Sequence, residues 1–156
     1  MKFQISAVGR LRKGPEKDLI DDYTARFDKT GRQLGLGPLT LQEVEDKKGI
    51  GQSAEAALLE NSIPTGALIC SLDERGKLMS SPDFAHEIEK WRDTGRGAVC
   101  FIIGGADGIA PELRAKADFS LSFGKMVWPH MLARVMLTEQ LYRAASILAR
   151  SPYHRV

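Results

Sequence analysis

The residues best suited to chemistry lie in the last third of the chain. The apolar run Ala98–Ile103 ends in Gly104-Gly105-Ala106-Asp107-Gly108. Ser120-Leu121-Ser122-Phe123-Gly124-Lys125-Met126 and Trp128-Pro129-His130 follow, and Glu139-Gln140-Leu141-Tyr142-Arg143 precedes a terminal Tyr153-His154-Arg155-Val156. Glycines at a strand end let backbone approach a ligand closely. A tight turn with no ligand uses the same residues. The pattern places glycine turns, a histidine, arginines and an aromatic tail near strand ends, where α/β proteins bind ligands.

Several chemistries are disfavoured. The glycines do not follow the Gly-x-Gly-x-x-Gly spacing of a dinucleotide fingerprint, and neither a phosphate-binding Walker lysine loop nor a Gly-x-Ser-x-Gly elbow occurs. His86, His130 and His154 lack metal-ligand spacing, so no metal site is expected. Cys70 and Cys100 each sit in an apolar run and read as buried strand residues.

The elements that must position these residues alternate. Lys2–Val8 reads as a strand, 10–14 as a basic loop, and Pro15 opens a helix carrying Leu19, Ile20, Tyr23 and Phe27 at helical spacing. Residues 30–38 read as a loop, Leu39–Val44 as a strand, 45–51 as a mobile charged segment and 53–63 as a helix. Residues 67–72 read as a buried strand and 73–77 as a polar turn. A helix from Pro82, capped by Ser80 or Ser81, carries Phe84, Ile88 and Trp91. Ala98–Ile103 is a fourth strand, 111–117 a short helix, 119–123 a fifth strand, and Pro129 opens a helix to about Arg150. Such alternation predicts one α/β domain over 1–156, with a largely parallel sheet flanked by helices.

The last helix is apolar over more than half its circumference, through Met131, Val135, Leu137, Leu141, Tyr142, Ala144, Ala145, Leu148 and Ala149. One sheet contact needs a stripe only a little over ~100° wide. The excess fits a homodimer interface or a central core helix. Glu139, Arg143, Ser146 and Arg150 form the remaining polar strip, where Glu139 and Arg143 can pair as i, i+4 surface neighbours.

The chain has 156 residues, a net charge of +2, 43% apolar and 27% charged residues. That composition suits a soluble domain; the charge permits a nucleic-acid partner without requiring one. No signal-peptide pattern or membrane-length apolar run is evident, so a cytoplasmic location is expected. Loops near Leu72, Gly104 and Phe123, built of glycine, backbone and apolar side chains, suit a cofactor with an aromatic base and no metal. S-adenosylmethionine fits, which ranks methyl transfer above hydride or phosphoryl transfer.

Ile103-Gly104-Gly105-x-x-Gly108, Leu121-Ser122-Phe123-x-Lys125-Met126, Pro129-His130, Arg134-Val135, residues 139–144 and Tyr153-His154-Arg155 together resemble the ribosomal RNA large subunit methyltransferase H family of the SPOUT superfamily. Phe3-Gln4-Ile5-x-Ala7-Val8-Gly9 and Ser71-Leu72-Asp73-x-x-Gly76-Lys77 extend the match over the whole chain. The resemblance implies a SPOUT domain with a C-terminal trefoil knot, acting as a homodimer. It implies S-adenosylmethionine-dependent methylation of pseudouridine N3 in 23S ribosomal RNA of the assembled ribosome. It places cofactor contacts at Leu72, Gly104, Phe123, Gly124, Lys125, Met126, Val127 and Trp128.

In that setting His154, or less favourably His130, is the candidate acceptor for the N3 proton. His130 better suits helix capping and loop anchoring. Arg143 and Arg155 can hold phosphate or anionic charge, and Tyr153 can stack on the target base. Arg10, Arg12, Lys13, Lys47 and Lys48 are candidate phosphate contacts or plain solvated surface. The alternatives are a non-catalytic RNA- or ribosome-binding module and a methyltransferase acting on tRNA or a small molecule.

Overall fold

The computed structural model describes residues 1–45 and 50–155. Lys47 and Lys48, and most of the segment expected to be mobile, lie outside the described residues. The strands are β1 (Lys2–Val8), β2 (Leu39–Val44), β3 (Leu68–Leu78), β4 (Ala98–Ile103) and β5 (Phe119–Ser122). The helices are α1 (Pro15–Gly31), α2 (Gly51–Ser62), α3 (Ser81–Asp93), α4 (Pro111–Arg114) and α5 (His130–Leu148). The strands form one sheet in the order β2-β1-β4-β3-β5, and every pairing is parallel. The α/β expectation therefore holds.

Strand alternation sends side chains to two layers. Phe3, Ile5, Ala7, Val99, Phe101 and Ile103 pack with α1, α3 and α5, whereas Val8 and Ile102 pack with α2 and α4. Phe101 centres the larger core, its ring 6.3 Å from Phe3, 6.2 Å from Phe84 and 6.4 Å from Trp91. Each large side chain buried there contributes about 1.5–3 kcal/mol.

Local chemistry sets the element ends. The Ser80 hydroxyl accepts from the Asp83 amide at 3.2 Å and caps α3, with Pro82 in the first turn. Residues 30–38 are more ordered than a loop: α1 runs to Gly31, a 3-10 turn covers Arg32–Leu34, and the Leu36 amide donates to the Gly31 carbonyl.

The polar segment 73–77 is not a turn after the third strand. It is a bulge within β3, because Leu121 of β5 faces both Leu72 and Lys77. Gly76 is required at this crossing: a Cβ there would lie 2.7 Å from the Ser120 carbonyl carbon. The bulge pushes Asp73, Glu74 and Arg75 over the carboxyl edge of the sheet.

Helix α5 packs against both α1 and α3 while Leu137, Leu141, Ala144 and Ala145 enter the core beneath it. Its wide apolar surface is thus largely used within one chain, as for a central core helix. Ser146 is not part of a solvated strip: it is fully buried and donates to the Tyr142 carbonyl at 3.0 Å. Ala149, counted with the apolar face, is exposed.

Candidate active site

A cavity of about 400 Å³ opens at the carboxyl ends of β3, β4 and β5. Its first wall is Leu72 and the bulge residues Asp73, Glu74 and Arg75. Its second is the 103–109 turn, and its third is Phe123, Gly124, Met126, Val127 and Trp128, with His130 at the start of α5. The structure thus brings together Leu72, Gly104, Phe123, Gly124, Met126, Val127, Trp128 and His130. Lys125 is exposed and does not line the cavity.

The turn after β4 is tightly wound. The Gly108 amide donates to the Gly105 carbonyl at 3.0 Å, and Gly108 has φ +77°. A Cβ on Gly104 would lie 2.5 Å from the Gly108 carbonyl carbon. Gly104 is therefore needed because the turn closes on itself; room for a ligand is not its only role. On the opposite wall, the Ser122 hydroxyl accepts from the Gly124 amide at 3.0 Å and donates to the Glu74 carbonyl at 3.0 Å, joining the bulge to the 123–128 loop.

Sequence reasoning missed charged groups of this cavity, among them Asp73 and Arg114. The Asp73 side chain is 13% exposed and sits 3.5 Å from the Arg114 guanidinium, and one of its oxygens accepts from the Arg75 amide at 3.0 Å. The signal available was Asp73 within the quoted 71–77 motif, which read as a turn residue.

The terminal residues form a second cluster on α5. Glu139 Oε1 accepts from Arg143 Nε at 3.0 Å, from Arg143 Nη2 at 2.5 Å and from the Tyr153 hydroxyl at 2.9 Å. Arg143 Nη1 lies 3.2 Å from His154 Nδ1. The Tyr153 ring packs 4.5 Å from Tyr142, with the Arg143 guanidinium 4.9 Å from its centre. Burial, then the hydrogen bond to Glu139, pushes the Tyr153 phenol up, so it stays a donor. The Glu139 hydrogen bonds push Arg143 up. Arg155 is exposed. Glu139 is therefore the hub of the tail rather than a plain surface partner of Arg143.

None of the residues of this tail cluster lines the first cavity. Between them lies an apolar groove of about 740 Å³, lined by Leu19, Leu78, Phe84, Phe123, Val135 and Met136 among others, with Glu139 at its edge. Among the described residues, no group of three His, Cys, Asp or Glu side chains could hold a metal ion. Among the described residues, no helix is long and apolar enough to cross a membrane.

The chain matches, over residues 1–154, the family described as "Predicted SPOUT methyltransferase". It is 69% identical over 156 residues to a Ruegeria pomeroyi protein named ribosomal RNA large subunit methyltransferase H, covering 100% of both chains. Proteins of the same name from Dinoroseobacter shibae and Roseobacter denitrificans are 65% identical over 156 residues, covering 100% of both chains, and 67% identical over 155 residues, covering 99% of both. The chain belongs to the ribosomal RNA large subunit methyltransferase H family.

In this SPOUT methyltransferase the sheet also resembles a solved structure, a probable methylase family protein from Haemophilus influenzae. The TM-score is 0.53 at 14% identity, over 99% of this chain and 70% of that one, a likeness of fold alone. Several of the motifs that carried the resemblance from sequence line the carboxyl-edge cavity or form the tail cluster.

Proposed function

We propose that this protein is the S-adenosylmethionine-dependent methyltransferase that modifies N3 of a pseudouridine in 23S ribosomal RNA of the assembled ribosome. It acts in the cytoplasm as a homodimer of single-domain chains. The observation that carries the reading is full-length identity of 69% to a relative named ribosomal RNA large subunit methyltransferase H. A knotted C-terminal threading belongs to this reading on the family resemblance alone.

The cavity at the carboxyl edge suits S-adenosylmethionine. Leu72, Ile103, Ile109 and Phe123 offer apolar cover for an adenine, and the glycine turn and the 123–128 loop offer backbone hydrogen bonds. The Asp73–Arg114 pair matches the charges of an amino-acid end. When bound, S-adenosylmethionine supplies an electrophilic methyl group on a sulfonium centre. The protein's task is then to hold the target base in line with that methyl and to exclude other geometries, which supplies much of the acceleration. Tyr153 would stack on the base, while Arg143 and Arg155 would balance phosphate or imide charge.

The separation of the tail cluster from the cavity supports a dimeric site in which one subunit's tail serves its partner's cofactor. The groove, with Leu78 61% exposed and Leu19 44% exposed, is the surface that a second copy would cover.

The deciding experiment is mass mapping of ribosomal RNA from a strain lacking this gene, before and after incubation of its ribosomes with the purified protein and S-adenosylmethionine. Gain of one methyl group at a large-subunit pseudouridine is the expected result. A methyl group appearing in tRNA, or none at all, would discard the assignment.

A further inference from the structure

We infer that His154 works as a hydrogen-bond donor through Nε2, set in that state by a Glu139–Arg143 clamp, and not as the acceptor of the N3 proton. The inference rests on the methyl-transfer reading above. Its basis is the chemistry of one contact. A guanidinium has five N–H donors and no acceptor. Where Arg143 Nη1 lies 3.2 Å from His154 Nδ1, the lone pair belongs to Nδ1. The neutral ring then carries its proton on Nε2. Neither nitrogen is left to take a proton: Nε2 already bears one, and Nδ1 is engaged by a cation.

The clamp is fixed from behind. Arg143 gives both Nε and Nη2 to the single oxygen Oε1 of Glu139, which leaves Nη1 for His154. Tyr153 donates to the same oxygen, and its ring lies beneath the guanidinium. Glu139 side-chain exposure is only 17%, so the carboxylate is held rather than free to rotate in water. Glu139 is thus a positioning residue acting through Arg143.

This state has a use in the proposed reaction. When the imide loses its N3 proton to solvent water, the negative charge spreads over N3 and the two flanking carbonyl oxygens. An Nε2–H aimed at one of those oxygens stabilises the anion. Preorganised donors of this kind act on charge as it develops. The Arg143 cation, one atom layer behind, adds to the same field.

The test has two readouts. Nitrogen NMR of the free protein labelled at histidine, with His154 assigned through His154→Gln, should show a single Nε2–H tautomer. Arg143→Gln and Glu139→Ala should each return a mixture of tautomers. A mixture in the native protein, or no change in either variant, overturns the clamp. This arm needs no substrate, so it is independent of whether ribosomes are methylated. In the second arm, native protein is run on unmethylated ribosomes beside His154→Gln and His154→Ala. A glutamine amide can still donate but cannot act as a base. It should keep kcat within about tenfold of native, whereas alanine should lose about 10²–10³-fold, the usual effect of removing one such donor. Equal loss in both variants overturns the donor role. No turnover by the native protein would instead refute the proposed function while leaving the tautomer result standing.

Discussion

The guanidinium of Arg134 donates to the carbonyl oxygen of Val8 at 2.6 Å, from a side chain that is fully buried. It also donates to the Gly9 carbonyl at 2.9 Å and pairs with Glu43 at 3.2 Å. Glu43 in turn accepts from the Leu11 amide. One arginine on α5 thereby ties together the carboxyl ends of β1 and β2 and the start of the basic loop. Burial lowers its tendency to hold a proton, and Glu43 opposes that, so the charge is kept.

Arg134→Met should therefore destabilise the protein strongly. Removing one partner of a buried pair costs about 3–5 kcal/mol; Glu43 retains some solvent contact, so about 2–3 kcal/mol is expected. Thermal unfolding should fall by roughly 5–10 °C at this chain length. A change under about 2 °C would show that the network contributes little.

Gly104→Ala should damage both the fold and the cavity at the carboxyl edge of the sheet. The added methyl meets Gly108 backbone at 2.5 Å, and overpacking of this kind costs about 1–3 kcal/mol. Calorimetry should show affinity for S-adenosylmethionine reduced by about tenfold or more, a loss of ~1.4 kcal/mol or greater. Gly97→Ala, with nothing within 4 Å of the new Cβ, is the control and should change neither quantity. Native-like binding in Gly104→Ala would remove the turn from the site.

Assembly is best tested in the groove. Leu141 and Ala145 are completely buried within one chain, so a charge there would unfold it and say nothing of a dimer. Leu78 is 61% exposed and lines the groove. Leu78→Arg should convert a dimer to a folded monomer in sedimentation equilibrium, with the circular dichroism spectrum retained. An unchanged mass would place the subunit contact elsewhere.

The raised Tyr153 phenol gives an alkaline signature. Its proton is held more tightly in the folded chain than the ordinary value of about 10 allows. Its stabilising contribution is thus complete below about pH 10 and is lost as pH rises through the folded-state value. In an ultraviolet titration one of the three tyrosines should ionise late, and Tyr153→Phe should abolish that step. If the variant retains the late step, Tyr153 is not docked on Glu139.

The two cysteines should be inert. Both are buried, and burial pushes both thiols up. Ellman's reagent should find no reactive thiol in the native protein and both after denaturation. A native thiol reacting at the rate of a free one would contradict the packing of β3 against β4.

By itself the sequence determined the element order, because strands of period two and helices of period 3.6 depend on neighbours along the chain. Lys2–Val8, Leu39–Val44 and Ala98–Ile103 form strands with those bounds, and Ser80 caps α3. The glycine turn and a loop starting near Phe123 were legible, since their residue types suit a ligand at strand ends; the 123–128 bounds came from the family resemblance, and all of these residues but Lys125 line one cavity with His130. Tertiary structure decided what depends on distant partners. The polar segment 73–77 became a bulge because Leu121 pairs on both sides of it. Arg134 stands at the spacing of Leu137 and Leu141, a signal of the buried face, but only the approach of β1 and β2 supplied carbonyls and a carboxylate to accept its charge. Glu139 and Arg143 read as a surface pair until the folded-back tail brought Tyr153 and His154 to them. Local pattern records which face is apolar; which charge meets which is settled by chain segments that are far apart in sequence, through contacts whose strength depends on burial.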